Sequence, residues 1–292
     1  MDYEKLIYIN SRGETLEFSI TSEYHCNVSK DVAGLSGIDN TIYSTNSMGQ
    51  HGDTYVGQRY EAREITIEGS INSVNKDRVL ELRRQAEKVL NAELDAKLVY
   101  MYKDFVRVIG CKLDGRPTFK RGNVFMKYTI PLLCVKPFWQ DEAETQKDIA
   151  AWYPSWEFDF EIPAEGIELG YKEPSVIVRM ENEGDVKSGM RIEFSAIGTV
   201  VNPVLFNVNT REFVKIYTTM QIGDVITVNT EYGEKSVTLK REGTEVDYFR
   251  YLDVDSTFMQ LDIGENVFRY GADSETMSLE VKIYYNNKYL GV

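Results

Sequence analysis

A chain of 292 residues, 42% hydrophobic and 27% charged, is long enough for two domains with separate cores and too apolar to be disordered. Its formal net charge of −13 is uneven: residues 1–145 hold 19 basic and 21 acidic residues, −2, and residues 146–292 hold 14 and 25, −11. So acidic a second half repels phosphate backbones and argues against a nucleic-acid partner; no stretch approaches the roughly 18 apolar residues of a membrane span, and the N-terminus lacks the basic-then-apolar pattern of a secretory leader.

The first half opens with two strand-like runs, "KLIYIN" and "TLEFSI", around the turn "SRGE". Residues 31–60 are rich in glycine, serine and asparagine and read as a long loop of the functional or mobile kind. "EITIEGSI" follows with period-two alternation, Ile65, Ile67 and Gly69 against Thr66 and Glu68, the mark of a strand. The one helical pattern covers residues 75–91. Val79, Leu82, Ala86, Val89 and Leu90 share a face, Asn75 stands at the N-cap, and Asp77 sits in the first turn, where the dipole favours it. "KLVYMY", "FVRVIGCKL" and "VFMKYTIPLLCV" add three strands, and "PFWQD" leads into an acidic, linker-like run.

The second half is strand and turn. "PSVIVRM", "MRIEFSA", "PVLFNV", "FVKIYT", "DVITVN", "SVTLK", "STFMQL", "NVFRYG" and "MSLEVKIYY" recur at spacings of about ten residues between glycine-bearing turns, the pattern of a β-sandwich. In "GDVITVNTEYGEKSVTL", Ile226, Val228, Val237 and Leu239 form the apolar faces of a hairpin. The chain therefore reads as mainly β, with a β-rich domain carrying one long helix over 1–145 and a β-sandwich over 146–292. The 19 tyrosines fit pleated surfaces and contact faces.

Residues able to do chemistry are few. His25 precedes Cys26, yet neighbours on a strand point to opposite faces and zinc needs converging ligands, so His25 reads as structural or solvent-facing. His51 lies in the glycine-rich loop with no nucleophile motif beside it. Asp253 and Asp255 begin like a calcium loop but lack its glycine and distal glutamate, and read as a solvated strand end. No phosphate-binding glycine loop is present. Cys26, Cys111 and Cys134, odd in number and in apolar surroundings, read as buried thiols. Trp139, Trp152 and Trp156 cluster near the domain junction and read as packing there rather than as a sugar platform. No catalytic, metal, cofactor or nucleic-acid site is expected.

The order of motifs carries more than any one of them. "EITIEGSI", the helix and "PFWQD" are followed by "NEGDVKSGMRIEFSAIGTVVNPVLFNVNT", "GDVITVNT", "DSTFMQLDIGENVFRY" and the ending "YLGV". In this order the chain resembles the distal tail proteins of bacteriophages or prophages with long non-contractile tails. The resemblance implies a structural tail-tip protein without enzyme activity, made in the host cytoplasm and residing in the virion. It implies a ring-forming N-terminal domain that closes as a hexamer, and a galectin-like, carbohydrate-module-like sandwich. The implied partners are other copies of the chain, the tail-tube protein, the tail-associated tip protein and often a receptor-binding protein. Two other readings remain: a module that grips a host-wall glycan through the sandwich, and a cell-wall glycosidase, for which the sequence offers no preferred carboxylate pair.

Overall fold

The computed structural model describes residues 3–73, 75–121, 125–148, 152–154, 170–172, 177–274 and 276–292. They are mostly strand and fall into two units, Met1–Glu142 with Lys288–Val292, and Ala143–Asn287. No helix among the described residues is long and apolar enough to cross a membrane.

The main sheet of the first unit curls on itself. Its strands run in the order Thr118–Arg121, Phe125–Cys134, Arg63–Asn72, Tyr24–His25, Thr15–Ser19, Lys5–Asn10, Ala96–Tyr102, Phe105–Leu113, Trp139–Gln140 and Lys288–Tyr289. Phe125–Cys134 also pairs with Phe105–Leu113, Leu132 opposite Leu113, and so closes the curl as a barrel does. Alternation along the strands sends Leu6 and Tyr8, Leu16 and Phe18, Ile65 and Ile67, and Met126 and Tyr128 inward. Each such buried side chain contributes about 1.5–3 kcal/mol.

The helix Lys76–Val89 lays its apolar face, Val79, Leu82, Ala86 and Val89, on this core. Asn75 caps it as its sequence promises, accepting from the Asp77 N–H at 2.9 Å. The other end is held by a side chain from far away. Buried Asn10 donates to the Val89 carbonyl at 3.1 Å while its Oδ1 accepts from the N–H groups of Arg12 and Glu14 at 3.0 Å each. In mid-helix, Tyr24 donates to the Leu82 carbonyl at 2.9 Å.

The second unit packs two antiparallel sheets over one core, as the strand pattern leads one to expect. One runs Thr145–Asp148, Leu279–Tyr285, Met190–Ala196, Val225–Asn229, Ser236–Arg241, Thr244–Asp247; the other runs Ile177–Asn182, Gly264–Gly271, Val204–Asn207, Phe213–Lys215. Ile192, Phe194, Ile226, Val228, Val237 and Leu239 from the first sheet meet Met180, Leu205, Val214 and Phe268 from the second. "GDVITVNTEYGEKSVTL" is thus scaffold, its four apolar residues buried and Val228 set opposite Val237.

Three expectations change. The stretch 31–60 is not a plain loop: Asn40–Thr45 and Thr54–Tyr60 pair as a hairpin, with a register shift between Tyr43 and Ser44. Almost nothing in it is buried, so it lacks the alternation that announces a half-buried strand. "STFMQL" is not a strand. It buries Met259 and Leu261 but makes separate backbone bonds, from Thr257 to the Phe213 carbonyl and between Leu261 and Ser188. The last five residues, read with the sandwich as part of 146–292, join the first unit, because Trp139–Gln140 leaves an edge that Lys288–Tyr289 fills.

Candidate assembly surface

The residues singled out for chemistry are occupied structurally. His25 donates from Nδ1 to the Ile20 carbonyl at 2.9 Å, and Cys26 is buried, its thiol pushed up to about 12 by burial. Cys111 and Cys134 are likewise buried free thiols raised by burial. His51 is exposed in the turn of the hairpin. Asp253 is buried and accepts from the Asp255 N–H at 3.0 Å in an Asx turn that follows the 3-10 turn Phe249–Tyr251, so the solvated strand end read from the sequence is not found. Trp139 is fully buried in the first unit's core, where no sugar reaches it. Trp156 and the side chain of Trp152 lie outside the described residues. Among the described residues, no group of three or more His, Cys, Asp or Glu is placed to hold a metal ion.

What the structure does present is an apolar arm. The hairpin 40–60 is tied within itself by Asn40 to Gln58 at 3.2 Å, Thr41 to Glu61 at 2.6 Å, Ser44 to Asp53 at 2.9 Å and Asn46 to Asp53 at 3.3 Å. Arg59 grips Glu61 through two bonds of 2.9 and 2.7 Å. These bonds spend the polar side chains on each other and leave the apolar ones outward. Ile42 is 61% exposed, Tyr55 60% and Val56 66%, and Met48 at the tip is wholly exposed. A two-stranded hairpin with no third strand is marginal in water, so an apolar face of this kind calls for a partner.

The arm is rooted firmly. Tyr60 meets Phe138 edge-on at 5.5 Å, and the Glu61 N–H donates to the Asp39 carbonyl at 2.9 Å. Gly34, at φ +86°, runs so close to the strand Arg63–Asn72 that a Cβ there would stand 2.0 Å from the Glu64 carbonyl oxygen. Buried Arg63 donates to the carbonyls of Gly34 at 2.7 Å, Pro137 at 2.8 Å and Leu290 at 2.6 Å. Neither shows in the sequence: the arm buries nothing that would give it a period, and the anchor joins residues that meet only in the folded chain.

A second surface lies on the sandwich. Tyr217, Tyr232 and Phe249 are exposed, and rings beside them stack, Tyr248 on Tyr251 at 4.0 Å and Phe249 on Phe258 at 5.8 Å. Lys235 lies over both Tyr232 and Phe258, and Arg250 over Tyr251. These contacts fix the rings without covering them.

The comparisons follow the division between the units. Residues 13–134 match the phage tail protein RIFT-related domain, and residues 183–289 match the siphovirus-type tail component C-terminal domain. The chain belongs to the siphovirus-type distal tail proteins. This distal tail protein is similar in fold to the Dit protein (gp 19.1) of phage SPP1, described as a paradigm of the hub adsorption apparatus in phages infecting Gram-positive hosts. The match has 14% identity and a TM-score of 0.67 over 98% of this chain and 99% of that one. It is also similar to a chain of the phage p2 baseplate in its activated conformation, with Ca and with Sr, at 13% identity, TM-scores of 0.52 and 0.53, and full coverage of both chains. None of the curated proteins matches it in sequence. A structural role in the phage tail follows from the family.

Proposed function

We propose that this distal tail protein closes into a six-membered ring that joins the tail tube to the tip, with its sandwich units turned to host-recognition partners. The observation that carries the reading is the arm. Ile42, Tyr55 and Val56 on a hairpin that its own unit does not cover form one half of a head-to-tail contact, and a neighbouring copy supplies the other half. Such contacts close as rings when the rotation per subunit divides the circle. The role is structural, without catalysis, and its place is the tip of the virion tail, after assembly in the host cytoplasm. The partners on either side are the tail-tube protein and the tail-associated tip protein.

The test is negative-stain electron microscopy with light-scattering mass on the concentrated chain, alone and with tail-tube protein. Six-fold rings are expected, and Ile42→Asp with Val56→Asp should leave a folded monomer. A wild-type chain that gives no ring even with the tube protein sinks the reading.

A second reading has Tyr217, Tyr232 and Phe249 in its favour: the sandwich grips a host-wall glycan on these rings. Soluble wall glycan would then shift the aromatic fluorescence of the wild type but not of a chain with all three changed to Ala. An unchanged wild-type spectrum at saturating glycan removes this reading and leaves the hub untouched.

A further inference from the structure

The root of the arm is built from two ends of the sequence. On one side, Gly34 lies against Glu64, and the Arg63 guanidinium fixes the Gly34 carbonyl. On the other, Gly291 sits on the same segment: a Cβ at Gly291 would stand 3.3 Å from the Ser36 Cα and 3.5 Å from the Leu35 carbonyl oxygen. Leu35, Tyr289 and Val292 each pack against the first unit's core. Strand pairing of Tyr289 with Trp139 and of Lys288 with Gln140 brings these residues in, and the bond from Arg63 to the Leu290 carbonyl, spanning 227 positions in sequence, secures them.

Three residues separate Ser36 from Asn40, where the arm begins. The segment between is short enough that the direction of the arm is set where 34–37 is clamped. Half of that clamp is missing until residues 288–292 dock. A buried guanidinium that loses one of its three carbonyl acceptors is also costly, so an undocked chain end loosens the Gly34 side of the clamp as well.

We propose that residues 288–292 are an assembly check: they set the arm for its contact with a second copy only after the whole second unit, which precedes them in the chain, has been made. The first unit of an incomplete chain then carries its barrel core but not a positioned arm, and it cannot enter a ring. Arg63 is the positioning residue that couples the chain end to the arm root. The inference rests on the reading of the arm as a contact between copies.

The test compares three chains, the wild type, one ending after Tyr289, and Gly291→Val, by hydrogen exchange and by light-scattering mass with tail-tube protein. Ending the chain after Tyr289 keeps the pairing with Trp139 and removes the Leu290 carbonyl; Gly291→Val keeps every backbone group and only pushes on Ser36. In both variants, exchange over 35–45 and 54–62 should quicken by about tenfold, while Lys5–Asn10 and Met190–Ala196 keep their protection and ring formation is lost. Unchanged exchange over the arm in Gly291→Val overturns the proposal, as does faster exchange with rings intact. If the shortened chain does not fold, Gly291→Val decides alone. Should the wild type itself form no ring, the hub reading falls, and the exchange comparison still decides whether the chain end sets the arm.

Discussion

The guanidinium of Arg107 lies over the ring of Tyr289, 3.8 Å from its centre, and over the ring of Phe105 at 4.5 Å. Asp141 ties the group together, taking a bond from Arg107 Nη1 at 2.7 Å and one from the Tyr289 hydroxyl at 3.3 Å. A residue near the end of the sequence is thus bonded to the strand Phe105–Leu113, two strands in from the edge it fills, by a planar cation.

Arg107→Ala should cost the first unit about 2–3 kcal/mol, through a half-buried ion pair and two ring contacts. Arg107→Lys should recover less than half of this, because an ammonium has no planar face to lay over the rings. The unfolding transition of the first unit in urea reads both. Tyr289→Ala with Arg107→Ala should cost less than the sum of the single changes by about 1 kcal/mol. Simple additivity would show that the contact carries no energy.

Acid should weaken the second unit through Asp224. This buried carboxylate is gripped by Arg241 at 2.8 and 2.6 Å and accepts the Gln221 N–H at 2.8 Å. The Arg241 bonds hold its pKa below the ordinary 3.8, so the folded unit takes up this proton less readily than the unfolded chain. The pair's contribution is complete above the unfolded value and is lost as pH falls through the lowered one. Asp224→Asn should therefore cost about 2 kcal/mol near neutral pH and less at a pH well below 3.8. An equal cost at both pH values would clear Asp224 of the acid sensitivity.

Gly69 is needed where the sequence shows only a gap in an apolar face. It pairs with Tyr128, whose hydroxyl turns back over it to donate to the carbonyls of Tyr24 at 3.2 Å and His25 at 3.3 Å. A Cβ at Gly69 would stand 2.3 Å from that hydroxyl oxygen and 2.4 Å from the His25 carbonyl oxygen. Gly69→Ala should destabilise the first unit by about 3 kcal/mol. Adding Tyr128→Phe should restore little of it, because the ring carbon Cζ, 2.5 Å from the same point, remains along with the His25 carbonyl oxygen. Full restoration in thermal unfolding would place the whole cost on the Tyr128 hydroxyl.

Much of the fold was legible because burial writes a period into the chain. Val79, Leu82, Ala86, Val89 and Leu90 fixed the helix and its inner face, and Ile226, Val228, Val237 and Leu239 the inward side of a hairpin. The hairpin 40–60 was illegible for the converse reason: its strands bury nothing, and sequence period records only what packs. "STFMQL" shows the opposite error, since Met259 and Leu261 are buried without belonging to a strand.

By itself the sequence determined a mainly β chain with one amphipathic helix, an acidic second half and a motif order that points to a phage tail. These are properties of composition and of local pattern, which each segment carries alone. Only the tertiary structure decided that residues 288–292 leave the second unit, that Arg63 gathers Gly34, Pro137 and Leu290, and that the arm stands uncovered. The first two are meetings of residues far apart in the chain, and the third is a want of burial, so neither spacing nor period in the sequence carries a trace of them.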